Sequence, residues 1–399
     1  MRRIALLLAV VLCATAPPPT LIAQGQARII AIGDIHGSID GIKSILKVTG
    51  LIDGSNKWIG GKTQLLQTGD YMDRGAGVRQ VMDLLMSLEE PAKTAGGRAF
   101  ALLGNHEVMN LIGETRDATP EIFATFADAD SEKRRESAWD DYAKLGAAKK
   151  DKGDPIPTVY AQTKAAWLTT HPLGFVEYKE ALSPKGKYGA WLRGKPMVTE
   201  VAGNIFMHAG INPDTAPGKI DDLNDQLRGE IKKMDQFIDK LIDSKLATRD
   251  FTLQEIVQVA SSELGLANAR IAAAKAEGKE PESRQINLPL LLQAQEIMKV
   301  DSWLSIAPEG AMWYRGLSTV KDDPSGGPFA ALLKKYGAKR FVTGHTPQAG
   351  RAIVVRFGGR AVLIDTGMLT SVYKGRASAL EIDGDKLTAY YEDGKISLQ

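Results

Sequence analysis

Residues 29–37 read IIAIGDIHG. Four apolar residues, a glycine, then Asp34 and His36 describe a buried strand whose end carries metal-ligating side chains. The same order of residue types returns along the chain. LLQTGDYMDRG (65–75) places Asp70, Asp73 and Arg74 after a second apolar run, and FALLGNHE (100–107) places Asn105 and His106 after a third. NIFMHAG (204–210) sets His208 after a fourth, and RFVTGHT (340–346) sets His345 after a fifth. Strand ends are rigid, and the loops that follow them are where sites are built. Of five histidines, only His171 stands outside these contexts, so the ordered set carries more weight than any one Gly-Asp or Gly-His pair. Carboxylates, imidazoles and an amide suit Mn²⁺, Fe or Zn²⁺, and the glycines let the backbone turn sharply before each ligand.

Texture divides the rest. Residues 28–110 alternate strands (28–32, 63–67 and 98–103) with helical spacing at 39–48 and 78–88, a β-α-β-α-β pattern that predicts a layered α/β core. Residues 111–200 are charged, aromatic and irregular, with a helix expected over 123–149. Residues 217–305 read as helical; Leu223, Leu227, Ile231 and Met234 recur at helical spacing, and Thr252 with Glu255 forms a capping box. Strands return at 340–343, 352–357, 361–365 and 377–382, so the core is split in sequence. Trp139, Trp167 and Trp191 read as the core of the inserted region, His171 as a loop residue before Pro172, and Asp365 as structural.

The ends and the charge limit the setting. Arg2 and Arg3, the apolar run 4–15 and the small residues Ala23, Gly25 and Ala27 predict a signal peptide over 1–25, cleaved after Gly25 or Ala27. The expected location is therefore the periplasm or outside the cell. The one cysteine, Cys13, falls in that segment, so the mature chain is expected to lack disulfides and thiolate ligands. Fifty Lys+Arg balance 48 Asp+Glu, a net charge of +2, so no global field favours nucleic acid. No later apolar run is long enough to span a membrane.

The series GDIHG, GDYMDRG, GNHE, His-Ala-Gly and Gly-His-Thr resembles the calcineurin-like metallophosphoesterases of the phosphoprotein phosphatase type. With WYRG at 313–316 and the expected signal peptide, it is most similar to the bacterial Shewanella-like protein phosphatases. The resemblance implies one α/β catalytic domain over 26–399, a two-sheet β-sandwich flanked by helices, with large insertions at about 111–200 and 217–305. It implies two divalent ions, Mn²⁺ before Fe or Zn²⁺. Asp34 and His36 would hold the first, Asp70 would bridge, and Asn105, His208 and His345 would complete the second. Arg74 and Arg315, with Asn105, would hold phosphate oxygens, and His106 oriented by Asp73 would protonate the leaving group. For Arg315, stacking on the neighbouring aromatics is the competing reading.

A bridging hydroxide attacking phosphorus fits this set, because two cations offset the ester's negative charge. The expected activity is phosphomonoester hydrolysis on a phosphorylated protein, with a preference for phosphotyrosine, or on a small phosphate ester. The alternatives are a dinucleoside polyphosphate hydrolase, since such enzymes share GDIHG and the HAGI at 208–211, and a catalytically silent binding module. The insertions are longer than the compact family core, which leaves the cleft's shape and the oligomeric state open.

Overall fold

The computed structural model describes residues 28–151, 157–280 and 286–398; the expected signal peptide lies outside them. Strands β1 (Ile29–Ile32), β2 (Gln64–Gln67) and β3 (Arg98–Ala101) are parallel neighbours. Helices α1 (Ile39–Val48) and α2 (Val78–Thr94) make the two crossovers, and α3 (Asn105–Leu111) follows β3. A second sheet holds β4 (Val198–Val201), β5 (Asn204–Met207), β6 (Arg340–Thr343), β7 (Val354–Arg356) and β8 (Ala361–Leu363), in the order β4-β5-β6-β8-β7. Strands β9 (Ser378–Asp383), β10 (Lys386–Tyr391) and β11 (Gly394–Leu398) then return to the first sheet as an antiparallel meander, giving the order β11-β10-β9-β1-β2-β3.

Strand alternation explains the layering. Ile29 and Ala31 join Leu66, Phe206, Val342 and Val362 in one buried cluster, the interior of the sandwich. Their neighbours Ile30 and Ile32 join Ile42 and Leu46 of α1 in the other. Both faces of β1 are therefore covered, which is why it reads as a continuous apolar run rather than an alternating one. The two-sheet α/β architecture agrees with expectation.

Two expectations change. The helix read over 123–149 is two helices, Pro120–Ala124 and Ser131–Asp151. The break falls at Asp128, whose backbone N–H donates to Ser131 Oγ (2.8 Å) and whose carboxylate accepts from Asp130 N (2.8 Å), local bonds that compete with helix. The helix read over 78–88 runs on to Thr94, through Pro91, with Leu88 and Ala92 buried. His171 lies between helices, before Pro172, as expected, and is packed there: it is 1% exposed, and its ring stacks on Trp167 at 3.9 Å.

The helical stretch contains Asp221–Asp243, Leu253–Ala276 and Leu288–Ile297. Asn224 ties the first of these to the edge strand β4. Its Oδ1 accepts from Met197 N (2.9 Å) and its Nδ2 donates to Val198 O (3.0 Å). Among the described residues, no helix is long and apolar enough to cross a membrane.

Candidate active site

The carboxyl ends of six parallel strands, β1, β2, β3, β5, β6 and β8, deliver Asp34 and His36, Asp70 to Arg74, Asn105 and His106, His208, His345, and Asp365. Loops at this edge turn hard. His36, Asp70, Asp73, Arg74 and His345 all have positive φ, between 45° and 68°. Such backbone costs roughly 1–3 kcal/mol each in non-glycine residues, and it persists where surrounding structure over-determines it. Two glycines make the close approaches possible. A Cβ on Gly104 would lie 2.3 Å from Asp70 Oδ1, and one on Gly344 would lie 2.2 Å from Asp34 Oδ1.

Glu107 holds these loops together, a role the sequence did not reveal. Its buried carboxylate accepts from the backbone N–H groups of Asp70 (2.7 Å), Tyr71 (2.9 Å), Met72 (2.9 Å) and Gly104 (2.7 Å). The readable signal was its place three residues after Gly104, the capping-box position of α3.

The ring nitrogens of the histidines decide what each can do. His36 Nδ1 faces Met72 O (2.9 Å), His208 Nδ1 faces Thr68 O (3.1 Å), and His345 Nε2 faces Trp313 O (3.2 Å). A carbonyl only accepts, so each facing nitrogen carries a hydrogen, and in the neutral ring the opposite nitrogen presents its lone pair inward. Inward of these rings lies Asp70: its Oδ2 is 3.6 Å from His36 Nε2 and 3.2 Å from His208 Nε2. His208 Nε2 also lies 2.8 Å from Asn105 Oδ1 and 3.0 Å from His345 Nδ1. Several lone pairs thus point at one another, and a cation reconciles them.

Charge agrees. Burial pushes His36 down to about 3 and His345 down to about 2, the neutral form that ligates metals. Burial, then the charges of Asp365 and Asp70, push Asp34 well above the ordinary carboxylate range, and burial raises Asp365 to about 6. Three buried carboxyls repel one another unless cations sit among them. The residues present therefore fit two divalent ions that share Asp70.

His106 differs. Its Nδ1 meets not a carbonyl but the Asp73 carboxylate, at 2.7 Å, and its Nε2 faces the site 3.8 Å from Asp70 Oδ2. Burial opposes protonation, yet Asp70's charge and the bond to Asp73 hold its pKa up at about 9. By distance alone His36, Asp70 and His106 form one ligand group, and Asp70, His208 and His345 another. A cationic ring is a poor ligand, so Asp34, whose Oδ2 is 3.9 Å from His36 Nε2, is the better partner for the first group.

Eight of the ten residues expected from sequence line a cavity of about 280 Å³, while Asp73 and His208 lie behind it. Arg74 NH1 is 3.2 Å from His36 Nε2. Arg315 does not stack on its aromatic neighbours; its NH1 donates to His345 O and to Thr346 Oγ1, both at 2.9 Å. Arg116, Asp117 and Tyr373 also line the cavity, unflagged by any motif. Tyr373 stacks on His36 at 5.6 Å. A larger groove of about 610 Å³ opens alongside, sharing Arg116, Trp313 and Arg315 and floored by Ile306, Tyr314 and Val320.

Residues 27–235 match the family model described as calcineurin-like phosphoesterase. The chain belongs to that family. Calcineurin-like phosphoesterases use divalent metals, as this donor set demands. Shewanella-like protein phosphatase 2 of Arabidopsis thaliana is 29% identical over 215 residues, 51% of this chain and 51% of that protein, so this chain spans only about half of that relative. Shewanella-like protein phosphatase 1 of Plasmodium berghei (strain Anka) is 24% identical over 91% of this chain and 74% of its own. A crystal structure of the cold-active protein-tyrosine phosphatase of a psychrophile, Shewanella sp., superposes with TM-score 0.54 and 19% identity, over 94% of this chain and 81% of that one, which places the calcineurin-like phosphoesterase fold across nearly the whole described chain.

Proposed function

We propose that this metallophosphoesterase is a two-metal protein phosphatase that acts outside the cytoplasm and prefers phosphotyrosine. The observation that carries the site assignment is Asp70, whose one carboxylate oxygen faces His36 on one side and His208 on the other. Asp34, His36 and Asp70 would hold one ion, and Asp70, Asn105, His208 and His345 would hold the other. When bound, the ions offset the negative charge of the phosphate and activate a water for attack. Mn²⁺ suits this oxygen-and-imidazole set.

The remaining work falls to the chain itself. Arg74 and Arg315, which both line the cavity, offer guanidinium donors to phosphate oxygens. His106, held by Asp73, keeps a proton on Nε2 and donates it to the leaving oxygen. The apolar floor of the adjoining groove favours an aryl leaving group that continues into peptide. The names of the relatives support a protein substrate, and Arg2, Arg3 and the apolar run 4–15 support export.

The test is phosphate release by the chain from residue 28 onward, stripped of metal and then given Mn²⁺. Its substrates are phosphotyrosine, phosphoserine and phosphothreonine peptides, small monoesters and diadenosine tetraphosphate. Mn²⁺-dependent release, fastest from the phosphotyrosine peptide, is expected. Equal kcat/KM on the three peptides removes the preference, and cleavage of the dinucleotide alone replaces the reading.

A further inference from the structure

A buried chain of hydrogen bonds runs from the inserted helices to the histidine of the site. Tyr178, on the helix Phe175–Leu182, donates its Oη–H to Asn110 Oδ1 at 2.6 Å. Asn110, on α3, donates Nδ2–H to Asp73 Oδ1 at 2.9 Å and to His106 O at 2.9 Å. Asp73 Oδ2 then takes the Nδ1–H of His106 at 2.7 Å. All four residues are at most 2% exposed, so water does not compete for these bonds.

We infer that Tyr178 and Asn110 are positioning residues for proton donation by His106, and that orienting this histidine is a task of the inserted region. The inference rests on the reading of His106 as the proton donor. The geometry carries it. An amide has one accepting and one donating end, and its orientation is set by what faces it. Tyr178 supplies a hydrogen to the oxygen end, so the nitrogen end must face Asp73. The reverse orientation would set the amide oxygen against a carboxylate and the amide nitrogen against a phenol hydrogen. With Oδ1 of Asp73 engaged, its Oδ2 is aimed at His106 Nδ1, which leaves Nε2–H directed into the cavity.

Tyr178 is itself held firmly. Its ring meets Phe123 and Phe126 edge to face, each at 5.1 Å. Burial and the nearby carboxylates of Asp73 and Glu107 keep its hydroxyl protonated, hence a donor. A satisfied buried network of this kind fixes one geometry.

The experiment is steady-state kinetics of the Mn²⁺-loaded Tyr178→Phe and Asn110→Ala variants on phenyl phosphate, whose leaving group needs a proton, and on 2,4-dinitrophenyl phosphate, whose leaving group does not. Both variants are expected to lose roughly 3- to 10-fold in kcat on phenyl phosphate, the worth of one hydrogen bond. On the dinitrophenyl ester kcat is expected to hold, with KM and metal content unchanged on both. In a His106→Ala background, Tyr178→Phe is expected to add nothing. No loss in either variant, or an equal loss on both esters, overturns the inference while leaving His106 as donor. If His106→Ala itself retains full rate on phenyl phosphate, the underlying reading falls as well.

Discussion

The histidines of this site divide by what holds their outer nitrogen. A backbone carbonyl takes the outer hydrogen of His36, His208 and His345, which leaves the inner nitrogen to face the site, whereas at His106 that partner is the Asp73 carboxylate, which together with the charge of Asp70 raises its pKa to about 9. Two variants separate these roles. His106→Ala is expected to keep its metal content but lose on the order of 10²–10⁴ in kcat on poor leaving groups, and much less on activated ones. An equal loss on both, measured in one series of aryl phosphates, would exclude proton donation. Asp70→Asn is expected to abolish turnover and lower the metal content per chain, because it removes the shared charge; elemental analysis beside the activity assay reads both. The ligand-bearing residues were legible because each follows an apolar run. Glu107 and Asn110 were not, because the partners that give them their roles, Asp70 to Asp73, lie more than 30 residues away, beyond the reach of the local capping-box pattern. Glu107→Ala would leave those buried donors unpaired, at roughly 1–3 kcal/mol each. Loss of cooperative thermal unfolding is the expected outcome, and a melting curve like that of the wild type would refute it.

At the level of elements, the parallel strands were readable and β4, β10 and β11 were not. Strand β4 follows the irregular region, and its pattern, one buried residue in four, gives no periodic signal. Strand β11 is exposed along nearly all its length and pairs only with β10, so no hydrophobic constraint marks it. The two-residue β9–β10 turn, Gly384-Asp385 with Gly384 at φ 61°, is a hairpin dipeptide that was a fair sequence signal. Strand β4 owes its place partly to Asn224, which bonds its backbone from the helix Asp221–Asp243. Asn224→Ala is expected to destabilise the chain by about 1–3 kcal/mol, read by urea denaturation with an unchanged m-value. A shift under 0.5 kcal/mol would mean that packing alone seats the strand.

For the whole molecule, the ligands come from both sheets. Asp34, His36, Asp70 and Asn105 follow strands of the first, and His208 and His345 follow strands of the second. Metal bound by this proposed set would link the two halves of the sandwich, and ligands that bind only the folded chain stabilise it. At Mn²⁺ near 100 times its Kd the gain is about 2.7 kcal/mol, visible as a rise in Tm that chelation reverses and that Asp70→Asn largely removes. A Tm indifferent to Mn²⁺ would contradict a site built across both sheets. The split of the sandwich in sequence explains why the division into sheets was harder to read than the site: β5 and β6, adjacent in space, lie on either side of the helical stretch.

The most direct test is anomalous diffraction from crystals of the mature chain grown with Mn²⁺. Two peaks roughly 3.5–4 Å apart, flanking the Asp70 carboxylate with His36 on one side and His208 on the other, are expected. A single peak, or two peaks that do not share Asp70, would contradict the two-metal site on which the proposed chemistry stands.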